Sequence, residues 1–375
     1  MMFLFKLSCS VNFSDHLIPS DMITFYPGPS KVYPQVEQYL SDAYQSGILS
    51  VNHRSEPFMA MLRETIDAMK TNLGIPEGYE IYFCSSATEC WEIIAQSLIS
   101  TKSLHVFNGA FGEKWLEYTQ KIKPETNGFS FDIDTLPRIS DIVSDQENEV
   151  ICLTHNETSN GTALPFSFFA ELRKQTEQVI AVDATSSMAG VEFPWKEADV
   201  WYASVQKCFG LPAGLSVIIA SPRAIQQAEK IGDRNFYNSF LFVRDNFLRY
   251  QTPYTPNALG IYLAGRVMKQ VESLPIVSAQ TKKRAAEWYA FLTEHGYSVL
   301  VDQDEVRSDT VIAVSGSKDQ VAYIKKEARE NGIMLGNGYG AWKETTFRIA
   351  NFPAISQDEI DQLKNFLKGK SRLSA

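Results

Sequence analysis

The chain has 375 residues, 44% of them hydrophobic and 21% charged, the profile of a globular protein with room for two or three domains. Its formal charge of −9 and the lack of any long basic run argue against a nucleic-acid partner held by phosphate neutralisation. No stretch of about 18 uncharged apolar residues occurs, so no membrane-spanning helix is expected. Residues 1–22 read as an N-terminal extension, since Met1 to Phe5 is too short an apolar run for a signal-peptide core.

The first clear periodicity is Phe58, Met61, Leu62, Ile66, Met69 and Leu73, a helix face closed by Gly74 as a C-terminal cap. Ile81 to Cys84 reads as a strand, and Ser85-Ser86-Ala87-Thr88 opens the helix that carries Trp91, Ile94 and Leu98. Further strands are expected at Leu104 to Phe107, Val150 to Leu153, Val179 to Val182, Val200 to Tyr202 and Leu215 to Ala220. Strands alternating with helices imply an α/β fold: a mostly parallel central sheet with helices on both faces. The proline-broken segment Thr252-Pro253-Tyr254-Thr255-Pro256 marks a change of texture. A long helical stretch follows, then strands at Thr310 to Val314 and Thr346 to Ala350 of a smaller C-terminal α+β unit. The expected division is 23–255 and 256–375.

The five cysteines (Cys9, Cys84, Cys90, Cys152, Cys208) are odd in number and form no C-x-x-C pair. Neither a disulfide framework nor a metal site is expected, and the context reads as a reducing cytoplasm.

In parallel sheets, sites form beyond the carboxyl ends of strands. The residues found there are polar: Ser86-Ala87-Thr88, Asn108-Gly109-Ala110-Phe111, Thr154 to Thr158, Asp183-Ala184-Thr185 and Ser204-Val205-Gln206-Lys207. The Ser85–Thr88 turn is either an anion cradle at a helix N-terminus or an ordinary N-cap followed by Glu89. Asp183 ends an apolar run, where a carboxylate needs a cation or several donors unless it is a turn residue. Most lysines are solvated surface charges, but Lys207 is flanked by core-like residues on both sides, and a desolvated lysine is a nucleophile or base. An anion cradle, a carboxylate and a buried amine at the strand ends of one sheet suit pyridoxal phosphate, which has a phosphate, a pyridine nitrogen and an aldehyde.

Taken in order, Ser86-Ala87-Thr88, Asn108-Gly109-Ala110-Phe111-Gly112, Asn156-Glu157-Thr158-x-x-Gly161, Asp183 and Ser204-x-Gln206-Lys207 resemble class V aminotransferases of the fold-type I pyridoxal-phosphate superfamily. Phe25-Tyr26-Pro27-Gly28-Pro29-Ser30, His53-Arg54-Ser55 and Thr252-Pro253-x-Thr255 look most like the phosphoserine aminotransferase branch. The resemblance implies the fold-type I large domain with a smaller C-terminal domain. It implies that Lys207 holds the cofactor covalently and then moves the proton at substrate Cα. Asp183 would pair with the pyridine nitrogen, Thr158 with the ring oxygen, and Phe111 would stack on the ring. Ser86, Ala87, Thr88 and Gln206 would hold the phosphate, with Gln251 and Thr252 reaching it from a neighbouring subunit. Arg348 would bind the substrate carboxylate, and Arg54 and His53 its far end from the partner subunit, so a homodimer with shared active sites is implied. The substrates would be a small amino acid, most simply phosphoserine, and a 2-oxo acid such as 2-oxoglutarate.

The resemblance breaks at one loop. Phosphoserine aminotransferases carry a His-Arg pair before the last strand, whereas this chain has Leu335-Gly336-Asn337-Gly338-Tyr339-Gly340. A class V enzyme acting on serine or alanine with glyoxylate or pyruvate fits that loop as well. A cysteine desulfurase would need a reactive cysteine on a mobile loop, and Cys208 adjoins Lys207 instead. A purely binding role would have no need of both Lys207 and Asp183.

Overall fold

The computed structural model describes residues 22–370. The expected N-terminal extension, but for Met22, and Cys9 lie outside the described residues.

The central sheet has seven strands in the order Glu80–Cys84, Ser216–Ala220, Val200–Ser204, Val179–Asp183, Val150–Thr154, Ser103–Phe107, Asn127–Ser130. Val179–Asp183 and Val200–Ser204 are buried at every position, as expected for strands with helices on both faces. All neighbours pair in parallel except Ser216–Ala220, which runs antiparallel to both of its own. Parallel partners need a crossover of a dozen or more residues, whereas antiparallel ones can be joined by a short loop. Here residues 205–215 make the return directly, and that loop carries Lys207.

The periodic helix runs Glu56–Leu73, and Gly74 adopts the left-handed φ of 64° that closes it through its N–H to Lys70. The long helical stretch after residue 256 is two helices, Ala258–Gln270 and Leu274–Glu294, the second entered through Pro275 at its first turn.

The second sheet has the order Ile23–Phe25, Ile333–Asn337, Thr346–Ala350, Val311–Ser315, Ser298–Val299. Its first strand corrects the expected division of the chain. Ile23–Phe25 was counted with the larger unit but pairs in parallel with Ile333 to Leu335 of the C-terminal sheet. Three residues ahead of Pro27 and Gly28 are too few to show a period of two. The consequence is functional: leaving this edge strand, residues 26–30 cross to the Lys207 loop, where Ser30 N–H donates to Gln206 O at 2.9 Å.

The loop of a two-stranded hairpin, Asn156–Glu157 with Thr162–Ala163, packs against the second sheet through a glycine. Gly161 has φ of +80°, its carbonyl accepts from Ser308 N–H at 3.0 Å, and a Cβ there would lie 2.9 Å from Val311 O. Gly161→Ala is expected to lower stability by about 1–3 kcal/mol through backbone strain and this clash. Urea unfolding measures it, and an unchanged midpoint would contradict the tight approach.

Candidate active site

The carboxyl ends of the central strands open into a cavity of about 290 Å³. Its lining includes Ser86, Ala87, Thr88, Phe111, Thr158, Asp183, Gln206, Lys207 and Arg348, nine residues singled out in the sequence and brought together from six strand ends and loops.

Lys207 is 7% exposed, so the solvated-charge alternative fails for it. Its ammonium donates to Thr158 Oγ1 and Ser186 Oγ, both at 2.8 Å, and these two hydroxyls also bond each other. Segment 26–29 closes over it so tightly that a Cβ on Gly28 would lie 2.9 Å from Lys207 Cε. Burial presses the lysine pKa down to about 8, against the opposing pull of Asp183 and Glu157. The sign is that of an amine: desolvation disfavours the ammonium, so the neutral, nucleophilic form gains population at lower pH. Near neutral pH the neutral amine is therefore far more populated than in a surface lysine. Cofactor-free protein should therefore take up an aldehyde with a rate that rises with pH to a midpoint near 8, read by stopped-flow absorbance. A midpoint above 10 would mean the amine is solvated.

Asp183, 5% exposed, lies at its strand end beside Tyr202 of the next strand. Burial pushes its carboxyl above the usual range, against donation from Thr185 N–H at 2.8 Å, the Lys207 charge and the Tyr202 hydroxyl. Tyr202 is itself fixed by Trp91 Nε1 at 2.7 Å. The carboxylate is therefore held in place but short of a cation.

The Ser85–Thr88 turn is a cap and a cavity wall at once. Ser86 Oγ accepts from Glu89 N–H at 3.1 Å, the N-cap alternative, while Ala87 N–H donates to Ser204 Oγ at 2.8 Å. Opposite, the helix Ala110–Ile122 presents Phe111, its N-terminus anchored by the buried Glu157 carboxylate. Glu157 accepts from Phe111 and Gly112 N–H at 3.2 Å. The Phe111 ring lies 5.3 Å from the Lys207 nitrogen.

Arg348 sits on the Thr346–Ala350 strand and is 4% exposed, not the solvent-facing strand arginine that its position also allowed. Its Nε donates to Asn337 O at 2.6 Å and Nη1 to Thr158 O at 2.7 Å, which orients the guanidinium. Burial lowers its pKa, a cost that an incoming carboxylate offsets.

Four expected residues do not line this cavity: His53, Arg54, Gln251 and Thr252. Arg54 is exposed and His53 Nε2 has no hydrogen-bond partner, while Thr252 is buried, donates to Tyr254 O at 2.7 Å and lines a separate, smaller cavity with Ser85. Conversely, Tyr26, Trp91, Thr154, Asn156, Thr185 and Tyr339 line it without having been assigned a role. Thr154, Asn156 and Thr185 stand in the strand-end motifs, so position after a strand was the available signal. Nothing local marks Tyr339, which follows glycine and asparagine in a loop.

The polar inventory fits pyridoxal phosphate. Thr154 Oγ1, Asn156 Nδ2 and Thr185 Oγ1 are buried in the lining with no hydrogen-bond partner, as groups are that await a polar ligand. A buried amine, a carboxylate lacking a cation and first-turn N–H groups answer the aldehyde, ring nitrogen and phosphate. These features define a pyridoxal-phosphate enzyme of the aminotransferase fold.

Comparison with known proteins gives the family. The family profile "Aminotransferase class-V" matches residues 26–363, and the chain belongs to the class V aminotransferases, which are pyridoxal-phosphate-dependent transaminases. The phosphoserine aminotransferase of Corynebacterium glutamicum (strain R) is 30% identical over 92% of this chain and 94% of its own. That of Rhodococcus opacus (strain B4) is 28% identical over 93% and 96%. Among solved structures, a phosphoserine aminotransferase from Cytophaga hutchinsonii superposes with a TM-score of 0.89 at 34% identity, covering 94% of this chain and 99% of that one. An alanine–glyoxylate aminotransferase from Nostoc sp. shares the fold, with a TM-score of 0.81 at 19% identity.

Proposed function

We propose that the protein moves the amino group between phosphoserine and 2-oxoglutarate/glutamate, a step of serine biosynthesis. The reaction type rests above all on Lys207, a buried amine with pKa near 8 held by two hydroxyls and facing Asp183. The substrate rests on the names of the relatives, several of which are phosphoserine aminotransferases.

Bound pyridoxal phosphate supplies an aldehyde and an electron-withdrawing ring that stabilises the charge left when substrate Cα loses its proton. Lys207 would hold the cofactor's aldehyde carbon, and its neutral amine would move the proton between substrate Cα and that carbon. Asp183 would pair with the ring nitrogen and keep it protonated, with Tyr202 and Thr185 keeping Asp183 aimed. Thr158 would serve the ring oxygen, and Phe111 would offer a face for the ring. Ser86, Ala87, Thr88 and Gln206 receive the phosphate. Arg348 takes the α-carboxylate through its planar fork, preset by Asn337 O and Thr158 O.

His53, Arg54, Gln251 and Thr252 act across a homodimer interface, completing the partner's site. Exposed apolar side chains flank both segments: Leu40, Tyr44 and Leu49 before His53, and Phe236, Tyr237 and Leu248 before Gln251. Exposed apolar side chains beside both segments favour a protein partner there. Sedimentation at twice 42.2 kDa is the expected result, and a 42.2 kDa species would contradict shared sites. The four described cysteines are free, which suits the cytoplasm.

The second reading, a serine/alanine–glyoxylate or –pyruvate transaminase, keeps its support from the Leu335–Gly340 loop, which offers no His-Arg pair. Steady-state assays with phosphoserine and 2-oxoglutarate, against alanine and glyoxylate, separate the two. A kcat/KM higher for alanine replaces the substrate and leaves the chemistry.

A further inference from the structure

A second cavity, of about 280 Å³, lies beyond the wall that holds Lys207. Asn156 and the Ser186-Ser187 turn belong to that wall. Asn156 lines both cavities, Ser186 Oγ accepts from Lys207 on one side, and Ser187 lines the second cavity on the other. The far side comes from the C-terminal part of the chain: Lys282 on the helix Leu274–Glu294, and residues between 304 and 310, just ahead of the strand Val311–Ser315. Leu164, Phe166 and Val191 give it an apolar floor, where the His155 ring stacks on Phe166 with centroids 4.6 Å apart.

The charged groups of this cavity divide into those already paired and those that are not. The Arg307 guanidinium pairs with Asp304 and donates to Val301 O at 2.9 Å and Asp302 O at 3.1 Å. His155 is neutral, since burial presses its pKa down to about 3, and its Nδ1 is held by Ser187 Oγ at 2.7 Å. Among the described residues, the side chains of Lys282, Glu305 and Asp309 make no hydrogen bond or ion pair. Burial raises the Asp309 carboxyl above its usual range, and the Lys282 charge opposes that rise. The two groups therefore sense each other while standing too far apart to pair.

We propose that this cavity is a second, non-catalytic ligand site that takes a free α-amino acid with an uncharged side chain. Asp309 receives the ammonium, Lys282 the carboxylate and the apolar floor the side chain. The charges favour this ligand over simpler ones. With Arg307 and Asp304 cancelling, one ammonium faces two carboxylates, so a lone anion such as phosphate meets a net negative lining. A metal ion needs converging ligands, and among the described residues no group of three His, Cys, Asp or Glu side chains could hold one. A zwitterion answers both signs at once and gains a charge-assisted bond at each end. Asn156, itself 4% exposed, adds a neutral donor: its Nδ2 has no acceptor, while its Oδ1 is fixed by the Ser308 and Thr310 hydroxyls. Lys207 and Arg348 line the catalytic cavity and not this one, so the site stands whichever amino acid is the substrate.

Calorimetry with leucine tests the site on holoenzyme reduced with borohydride, in which the cofactor's aldehyde can no longer react with the probe's amine. Leucine is expected to bind. Its two halves, 3-methylbutylamine without the carboxylate and 4-methylpentanoate without the amine, should each bind at least about tenfold more weakly. Lys282→Met should weaken leucine about tenfold and leave 3-methylbutylamine unmoved; Asp309→Asn should weaken leucine by a similar factor without weakening 4-methylpentanoate. Lys282 is exposed, so its replacement leaves the fold intact. Lys283→Met, one position along the same helix and outside the cavity, is the control and should leave the leucine affinity unchanged. No binding of leucine at millimolar concentration overturns the proposal. So does an affinity that neither Lys282→Met nor Asp309→Asn moves, which would place leucine at Arg348 instead. Equal weakening in Lys283→Met would reduce the effect to surface charge and overturn it as well.

Discussion

Lys207→Ala is expected to lower transamination at least about a thousandfold, because one side chain holds the cofactor and moves the Cα proton. The fold should survive. The amine leaves behind Thr158 Oγ1 and Ser186 Oγ, which already bond each other, and Ser186 O still accepts from Thr310 Oγ1 at 2.6 Å. No buried polar group is orphaned, and a desolvated ammonium is removed, so stability in urea should change by about 1 kcal/mol or less. Loss of activity with an unchanged unfolding midpoint separates chemistry from folding. Full activity in the variant would end the proposed mechanism.

The second large effect is expected at Asp183→Asn. The side chain keeps its shape and can still accept from Thr185 N–H, but an amide cannot hold a proton on the ring nitrogen by charge. Turnover should fall about a hundred- to thousandfold, the usual cost of removing a preorganised electrostatic group from an active site. A separate sign accompanies it. Asp183 opposes the burial that depresses the Lys207 pKa, so its removal should shift the lysine midpoint to below about 8. Aldehyde uptake by the cofactor-free variant measures this without any turnover. A midpoint that rises instead would mean the two groups do not sense each other.

Much of this site was legible because polar residues at the ends of apolar strands have few structural reasons to be there. Asp183, Lys207 and Thr158 each follow such a run, and the sheet converges on them whatever the lengths of the intervening helices. What sequence patterning could not supply was contact between distant segments. Ile23–Phe25 is too short to show alternation, and its parallel partner lies some three hundred residues later, so its place in the C-terminal sheet had no local signal. Asn127–Ser130 is an exposed edge strand rich in polar residues, without the β-branched pattern that marks the buried ones. The antiparallel Ser216–Ala220 has the same apolar composition as its parallel neighbours, and direction is not written in composition. Tyr339 and Lys114 are separated by 225 positions and meet only because the C-terminal sheet packs over the helix that begins at Ala110.

The absorbance spectrum of the purified protein, reconstituted with pyridoxal phosphate and titrated with single amino acids, tests the central claim most directly. The account predicts a visible band from the lysine-bound cofactor, bleached by phosphoserine and by glutamate and restored by 2-oxoglutarate. It predicts that borohydride fixes the cofactor covalently to the wild-type protein and not to Lys207→Ala. A wild-type protein that forms no band after reconstitution, or one whose band no amino acid bleaches, would contradict transamination at Lys207.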